Sequence, residues 1–262
     1  MPRTVRASVG GLCYHVINRG NARAEVFRKI EDYAAFRKLL GEATERVRMR
    51  VLAYCLMPNH FHLALWPRGD GDLSRFMQWL LTAHVRRYHR HYQSGGHVWQ
   101  GRFKAFPIQQ DEHLLTALRY IERNPLRADL VVRAEDWWWS GLRERGGQEP
   151  WLQPVPVPGP TDWVNWVNAP MMDAEVEALR QSVNRGTPFG STPWVSGPPV
   201  GWDWRRASIP AGLLEVRRHR TELRFFQANA LEEQHESPSA GSRCRWKESR
   251  AKEIDSGLSV HR

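Results

Sequence analysis

The chain has few cysteines and no long apolar run, and each scarcity excludes a class of protein. Its three cysteines among 262 residues, Cys13, Cys55 and Cys244, are too few and too widely spaced for a disulfide framework or a cysteine-built zinc site. No run of 18 apolar residues is present, so we expect no membrane-spanning helix. The first residues lack the apolar core of a secretion signal. We therefore expect a cytoplasmic protein.

Acidic side chains are also scarce relative to basic ones. The sequence has 38 Lys+Arg against 28 Asp+Glu, which gives a formal net charge of +10. Residues 1–150 carry most of this charge, with 24 basic and 15 acidic side chains. A basic balance favours a polyanionic partner, most simply a nucleic acid, although charge alone leaves ribosomal and membrane-surface roles open. Arginine outnumbers lysine 33 to 5, which either phosphate recognition or a GC-rich genome explains.

Apolar periodicity and turn residues predict a β-α-β-β-α-β order followed by one more helix. The predicted strands are residues 11–18, 51–56, 60–66 and 103–109. The predicted helices are 32–48, one capped by Asp72, and one capped by Asp111 that Pro125 stops at Asn124. This order is that of an α+β, ferredoxin-like split βαβ arrangement, with the helices on one face of the sheet and the other face free.

The composition changes after residue 145. The run WLQPVPVPGP at 151–160 is typical of an extended strap, and 173–183 predicts a short helix. We therefore predict three parts, which are a first domain over 1–145, a Pro/Trp-rich strap with a short helix over 146–195, and a tail over 196–262.

His60 and His62 form the first candidate site. Residues two apart on a strand point to the same face, roughly 6.5–7 Å apart, while Phe61 and Leu63 point into the core. Two neutral imidazoles on an open face can hold one divalent cation. A bare His-x-His pair is more often two surface or hydrogen-bonded histidines.

Tyr120 and Asn124 form the second candidate site, because residues four apart on a helix share a face. Taken alone, they indicate a half-buried tyrosine and an asparagine that ends a helix before a proline. Taken with a metal that polarises a phosphodiester, the tyrosine becomes a competent nucleophile. A covalent phosphotyrosine conserves the bond energy for rejoining, which is the chemistry of strand transfer.

Three ordered motifs, MPNHFHLAL, VWQGRFK and ALRYIERNPLRADLV, resemble the REP-associated tyrosine transposases. These belong to the HUH single-tyrosine group of the insertion-sequence-200 type, and the similarity runs from about Val5 to Trp194. The resemblance implies that His60, His62 and Asn124 bind Mg²⁺ or Mn²⁺ and that Tyr120, on a C-terminal catalytic helix, becomes linked to a 5′ phosphate.

The same resemblance implies a function and its partners. We predict a transposase that nicks and rejoins single-stranded DNA beside palindromic, REP-like hairpins, with 1–145 as its catalytic and DNA-binding domain. No membrane partner is expected, and both a monomer and a homodimer stay open. A hairpin-binding relic without catalysis and an RNA-binding protein with the same sheet are the alternatives.

Five residues are candidates for contact with DNA. Arg102 and Lys104 are predicted to grip phosphates. Trp99 either stacks on a base or packs under the long helix. Arg19 and Arg23 are further candidate phosphate contacts.

The resemblance ends after Val195. The letters of residues 197–206 nearly match the usual family segment translated one base out of frame, so we predict a frameshift near codon 195. A peptide that was never selected for folding has no consistent pattern of caps and apolar periods. We therefore expect 196–262 to be disordered and dispensable, and the basic end typical of the family to be absent.

Overall fold

A four-stranded antiparallel sheet forms the centre of the fold. The computed structural model describes residues 8–145 and 152–197, so the predicted tail from residue 198 onward lies outside the described residues. The strands are β1 (Cys13–Arg19), β2 (Arg50–Met57), β3 (His60–Trp66) and β4 (Lys104–Ile108), in the spatial order β2-β3-β1-β4. The α+β class, the order of the elements and the β2–β3 hairpin are thereby confirmed.

Helices α1 (Ile30–Val47) and α2 (Asp72–Tyr92) cover one face of the sheet. Phe36 of α1 meets Phe61 of β3 with ring centroids 5.2 Å apart, and both side chains are fully buried. The prediction that Asp72 caps α2 is wrong. Gly71 takes the cap position at φ +80°, and Asp72 is the first helical residue, whose carboxylate accepts from the Gly69 N–H at 2.7 Å.

Helix α3 (Glu112–Arg127) packs against β2, β3 and β4 from the other face. The prediction that this face is free is therefore wrong. Asp111 caps α3 as predicted, because its carboxylate accepts from the His113 N–H at 2.9 Å.

The predicted stop of α3 at Asn124 is also wrong, because the helix continues through Pro125. A proline removes one N–H from the helical ladder and usually breaks it. Here the Asn124 side chain supplies donors instead, since its Nδ2 donates to the carbonyls of Tyr120 at 2.9 Å and Ile121 at 3.4 Å. The Ala128 N–H then bonds to the Asn124 carbonyl at 2.9 Å, which resumes the helical pattern.

The remaining described elements are short. They are the helices α4 (Trp163–Asn168), α5 (Asp173–Arg185) and α6 (Thr192–Ser196), and 3-10 turns at Asn21–Arg23, Ala134–Asp136 and Gly141–Glu144. Helix α5 confirms the predicted helix and ends two residues later than predicted, where Gly186 adopts φ +66°. None of the described helices is long and apolar enough to cross a membrane.

The 152–197 segment is bonded to both α3 and β4. Phe189 donates its N–H to the Pro107 carbonyl and accepts from the Gln109 N–H, both at 2.9 Å. The guanidinium of Arg123, on α3, donates to the Val167 carbonyl at 3.0 Å at the end of α4. The strap is therefore hydrogen-bonded to α3 and to the residues at the end of β4.

Candidate active site

The two histidines of β3 face α3, as the strand alternation predicts. The ring centroids of His60 and His62 lie 5.0 Å apart, and those of His62 and Tyr120 lie 6.0 Å apart. The register supports this placement, because His62 lies opposite Ile17 of β1 and Phe61 points to the opposite face. The structure therefore brings His60, His62 and Tyr120 together on one side of the sheet, which we call the histidine face.

Hydrogen bonds fix the orientation of both rings. His60 Nδ1 lies 2.6 Å from Asn59 Oδ1, and His62 Nδ1 lies 2.9 Å from Nε2 of His15. A ring that donates through Nδ1 keeps its Nε2 lone pair for a ligand, which is the usual arrangement of metal-binding histidines. His60 Nδ1 donates to an amide oxygen, which leaves Nε2 for a ligand, and His62 has the same arrangement in the tautomer whose Nδ1 donates to His15.

His15 is a third imidazole at the site, and sequence analysis missed it. Its side chain is fully buried on β1, with ring centroids 4.9 Å from Phe106 and 6.1 Å from Tyr120. Its Nδ1 has no hydrogen-bond partner among the described residues. His15 shares no local motif with His62, and only the position of β1 beside β3 brings the two rings into contact.

Tyr120 and Asn124 are both buried, each with 3% of its surface exposed. The guanidinium of Arg127 joins them, since its Nη2 donates to the Tyr120 hydroxyl oxygen at 3.0 Å and to Asn124 Oδ1 at 2.9 Å. The guanidinium carbon also lies 4.5 Å from the centroid of the Tyr120 ring. Sequence analysis missed Arg127, although its spacing of seven residues from Tyr120 places both on one helix face.

Burial and nearby cations keep the imidazoles neutral. The pKa of His60 is lowered to about 3, first by burial and then by the charges of Arg19 and Arg127. Burial also holds the pKa of His62 well below its usual range, with further lowering by His60, His15 and both arginines. Neutral imidazoles are the ligand form at physiological pH. Two arginines at the same place favour an anionic ligand.

The ligand atoms available at this site fit a divalent cation such as Mn²⁺. They are two imidazole nitrogens and the Asn124 Oδ1, which accepts one hydrogen bond and has a second lone pair. Imidazole nitrogen is a ligand of transition-metal cations, and an amide oxygen suits both Mg²⁺ and Mn²⁺. The ligand roles stay predictions.

The residues that are candidates for DNA contact differ in burial and in their position relative to the sheet. Arg19 lies opposite His60 in the β1–β3 register and is half-buried. Lys104 is exposed on the edge strand β4 opposite Ile17, which is itself opposite His62, so Lys104 belongs to the histidine face. Arg102 is exposed just before β4, and Arg23 is half-buried in the 3-10 turn after β1.

Trp99 differs from the other candidates because it is 5% exposed. Its ring centroid lies 5.1 Å from that of Phe61 and 5.3 Å from that of His84. This burial favours core packing over base stacking for Trp99.

A second group of potential metal ligands lies at the start of α3. Asp111, Glu112 and His113 each offer one ligand atom, and these atoms lie within 4.8 Å of one another. The group lies seven to nine residues before Tyr120, or roughly 10–13 Å along the helix at about 1.5 Å per residue. Asp111 already serves as the helix cap, so the cluster has a structural explanation.

Comparisons with known proteins find several similar proteins. Residues 8–124 match the family model described as "Transposase IS200 like", and this range includes His60, His62, Tyr120 and Asn124. A protein of Haemophilus influenzae named as a REP-associated tyrosine transposase is 28% identical over 125 residues, which are 43% of this chain and 70% of that protein.

Two solved structures are also similar. One is a REP-associated tyrosine transposase bound to a REP hairpin, with a TM-score of 0.45 and 19% identity over 66% of this chain and all of that one. The other is a transposase from Deinococcus radiodurans, with a TM-score of 0.35 and 23% identity over 47% of this chain and 96% of that one.

The family model and the curated relative together define the class, and the chain is a transposase. Residues 8–124 resemble the IS200-like family, and the resemblance to the REP-associated tyrosine transposases is confirmed.

Proposed function

We propose that this transposase is metal-dependent and cuts and rejoins single-stranded DNA beside palindromic hairpins, with Tyr120 as the nucleophile and a 5′-phosphotyrosine as the intermediate. One observation carries the proposal, which is the 6.0 Å separation between the rings of Tyr120 and His62 on the histidine face. The hairpin partner rests on the family, whose curated relative is named as REP-associated. A protein that acts on the DNA of its own cell must lie in the same compartment as that DNA, which supports a cytoplasmic location.

The proposed step exchanges one phosphodiester bond for another. The Tyr120 hydroxyl oxygen attacks the phosphorus, the bond to the 3′ oxygen breaks, and the phenolic proton leaves to solvent while the departing 3′ oxygen gains one. His60 Nε2, His62 Nε2 and Asn124 Oδ1 would hold Mg²⁺ or Mn²⁺, which would polarise the phosphate. A second attack by a 3′ hydroxyl on the phosphotyrosine rejoins the strand without another energy source.

The charge around the site supports a phosphodiester substrate. Arg19 and Arg127 both act on the imidazoles, and a divalent cation would add two further positive charges. A DNA strand supplies the compensating negative charge. Lys104, on the same face at the sheet edge, offers a path for the flanking backbone.

Covalent capture tests the proposal. The protein is incubated with Mn²⁺ and with a hairpin oligonucleotide that has single-stranded extensions, taken from the flanks of its own gene. A 5′-phosphotyrosine predicts that a 3′-terminal label remains with the protein on a denaturing gel, while a 5′-terminal label is released with a 3′ hydroxyl. Tyr120→Phe should abolish the adduct and keep hairpin binding.

A second tyrosine provides the control. Tyr88→Phe alters a half-buried ring on α2, whose centroid lies 4.7 Å from that of Tyr92, and should form the adduct normally. Hairpin binding by the unaltered protein without any adduct would contradict the proposal and favour a DNA-binding relic. An adduct that survives Tyr120→Phe would assign the nucleophile to another residue.

A further inference from the structure

Arg127 contacts both Tyr120 and Asn124 at the candidate active site. We propose that Arg127 is a further catalytic residue, which holds the Tyr120 hydroxyl through one terminal nitrogen and binds the attacked phosphate through the other. This inference rests on the proposed function, because it assigns a second group to the same reaction.

The first part of the role follows from the geometry of Nη2. This nitrogen donates both to the Tyr120 hydroxyl oxygen at 3.0 Å and to Asn124 Oδ1 at 2.9 Å. The three residues belong to one helix, so the rigid backbone of α3 sets their spacing. A phenol oxygen that accepts this bond keeps a lone pair for attack, and a charge-assisted bond strengthens as negative charge grows on the oxygen. Arg127 therefore orients the nucleophile.

The second part follows from Nη1. This nitrogen is buried and has no acceptor among the described residues. A buried donor without an acceptor costs free energy, and such groups require an explanation. The planar guanidinium fork matches phosphate oxygens, which supply the acceptor that the protein lacks here. The Arg127 side chain as a whole is half-buried, so part of it lies at the protein surface.

Arg123 shows what a structural arginine on the same helix contacts. Its Nη1 donates to the carbonyls of Val167 and Asn168, so the side chain anchors α4. Arg127 donates instead to the proposed nucleophile and to a proposed metal ligand. Arg123 is thus a matched control, of the same residue type and one helical turn away.

The first experiment measures the rate of adduct formation with the hairpin oligonucleotide and Mn²⁺. Removal of one preorganised donor from a reacting group typically costs a factor of about 10² to 10³. Arg127→Ala should show a loss of this size, and added guanidinium ion should restore part of the rate. Arg123→Ala should stay within a few-fold of the parent and gain nothing from guanidinium. Arg127→Gln provides a second variant if the alanine variant fails to fold.

The second experiment needs no catalysis. In Tyr120→Phe protein, which cannot react, the affinity for a single-stranded oligothymidylate is measured against salt concentration. Arg127→Ala in this background should reduce the log–log slope by about 0.7, as for one lost phosphate contact on a single strand.

The outcomes separate the two proposals. An adduct in the unaltered protein together with a normal rate and an unchanged salt slope in Arg127→Ala would overturn the role of Arg127 alone. The lack of any adduct in the unaltered protein would contradict the proposed function, and the salt slope would then decide whether Arg127 binds phosphate.

Discussion

Single residues on the histidine face have distinct tasks because their ring nitrogens have distinct partners. His60 and His62 each use Nδ1 in a hydrogen bond, with Asn59 and His15 respectively. Burial lowers the pKa of His15 to about 3, so the ring stays neutral and one ring nitrogen can accept a hydrogen bond. If His62 binds a metal through Nε2, its Nδ1 must donate to His15. In that arrangement His15 is the acceptor that orients the ring of His62.

Substitution of single histidines distinguishes the two candidate metal groups. We expect His60→Ala to abolish adduct formation, because one of the proposed ligands is lost, and to leave hairpin binding largely intact, because phosphate contacts lie elsewhere. Isothermal titration with Mn²⁺ should show a loss of affinity of at least about tenfold.

His113→Ala is the matched control for this prediction, since it removes the histidine of the Asp111–His113 cluster. It should keep both the adduct and the Mn²⁺ affinity. If His113→Ala loses metal binding and His60→Ala keeps it, the metal belongs to the start of α3 and the proposed mechanism is wrong.

Elements are more predictable from this sequence than the contacts between them. The strand His60–Trp66 was predicted to the residue, because two-residue alternation and the Pro58-Asn59 turn define it. The start of α3 was predictable from Asp111, but its end was not. The Asn124 side chain replaces the N–H that Pro125 lacks, and this depends on a rotamer that no local pattern specifies. His15 was missed because cross-strand register is a tertiary feature, and Arg127 was missed because the predicted helix stopped at Asn124.

The attachment of α3 to its neighbours depends on a buried charge. Glu122 is fully buried, and its carboxylate accepts from Arg145 Nε at 2.7 Å and from the indole of Trp163 at 2.6 Å. Burial raises its pKa, and the Arg145 charge opposes this. Arg145 also donates to the Leu52 carbonyl at 2.6 Å, which ties the α3 network to β2.

We therefore expect Arg145→Ala to lower the free energy of unfolding by about 3 kcal/mol, because it leaves a buried carboxylate without its cation. Urea denaturation measures this loss. The control is Arg133→Ala. The Arg133 side chain is 50% exposed, and the side chain of its partner Glu135 is 27% exposed. Exposed pairs contribute about 0–1 kcal/mol, so this variant should change little. Equal losses in both variants would contradict the special role of the buried pair.

At the scale of the whole molecule, the charge and the fold point to the same surface. The basic excess lies in the first 150 residues, which contain the sheet and the histidine face. The strand register then places Arg19 and Lys104 on that face, one beside His60 and the other at the sheet edge. Composition alone indicated a polyanionic partner, but only the register indicates where its backbone would lie.

We expect the affinity for single-stranded DNA to fall steeply as salt concentration rises. Each phosphate that the protein neutralises releases counterions, so affinity falls linearly with salt on a log–log plot, with a slope of about −0.7 per contact on single strands. Lys104→Ala and Arg102→Ala should each reduce the slope by about that amount, because both side chains are exposed at the start of β4. Arg87→Ala removes an equally exposed charge from α2, on the opposite face of the sheet, and should leave the slope unchanged. A slope that responds to Arg87→Ala and not to Lys104→Ala would indicate that the DNA binds on the α1–α2 face of the sheet. That face lies away from Tyr120, so this result is incompatible with attack by that residue.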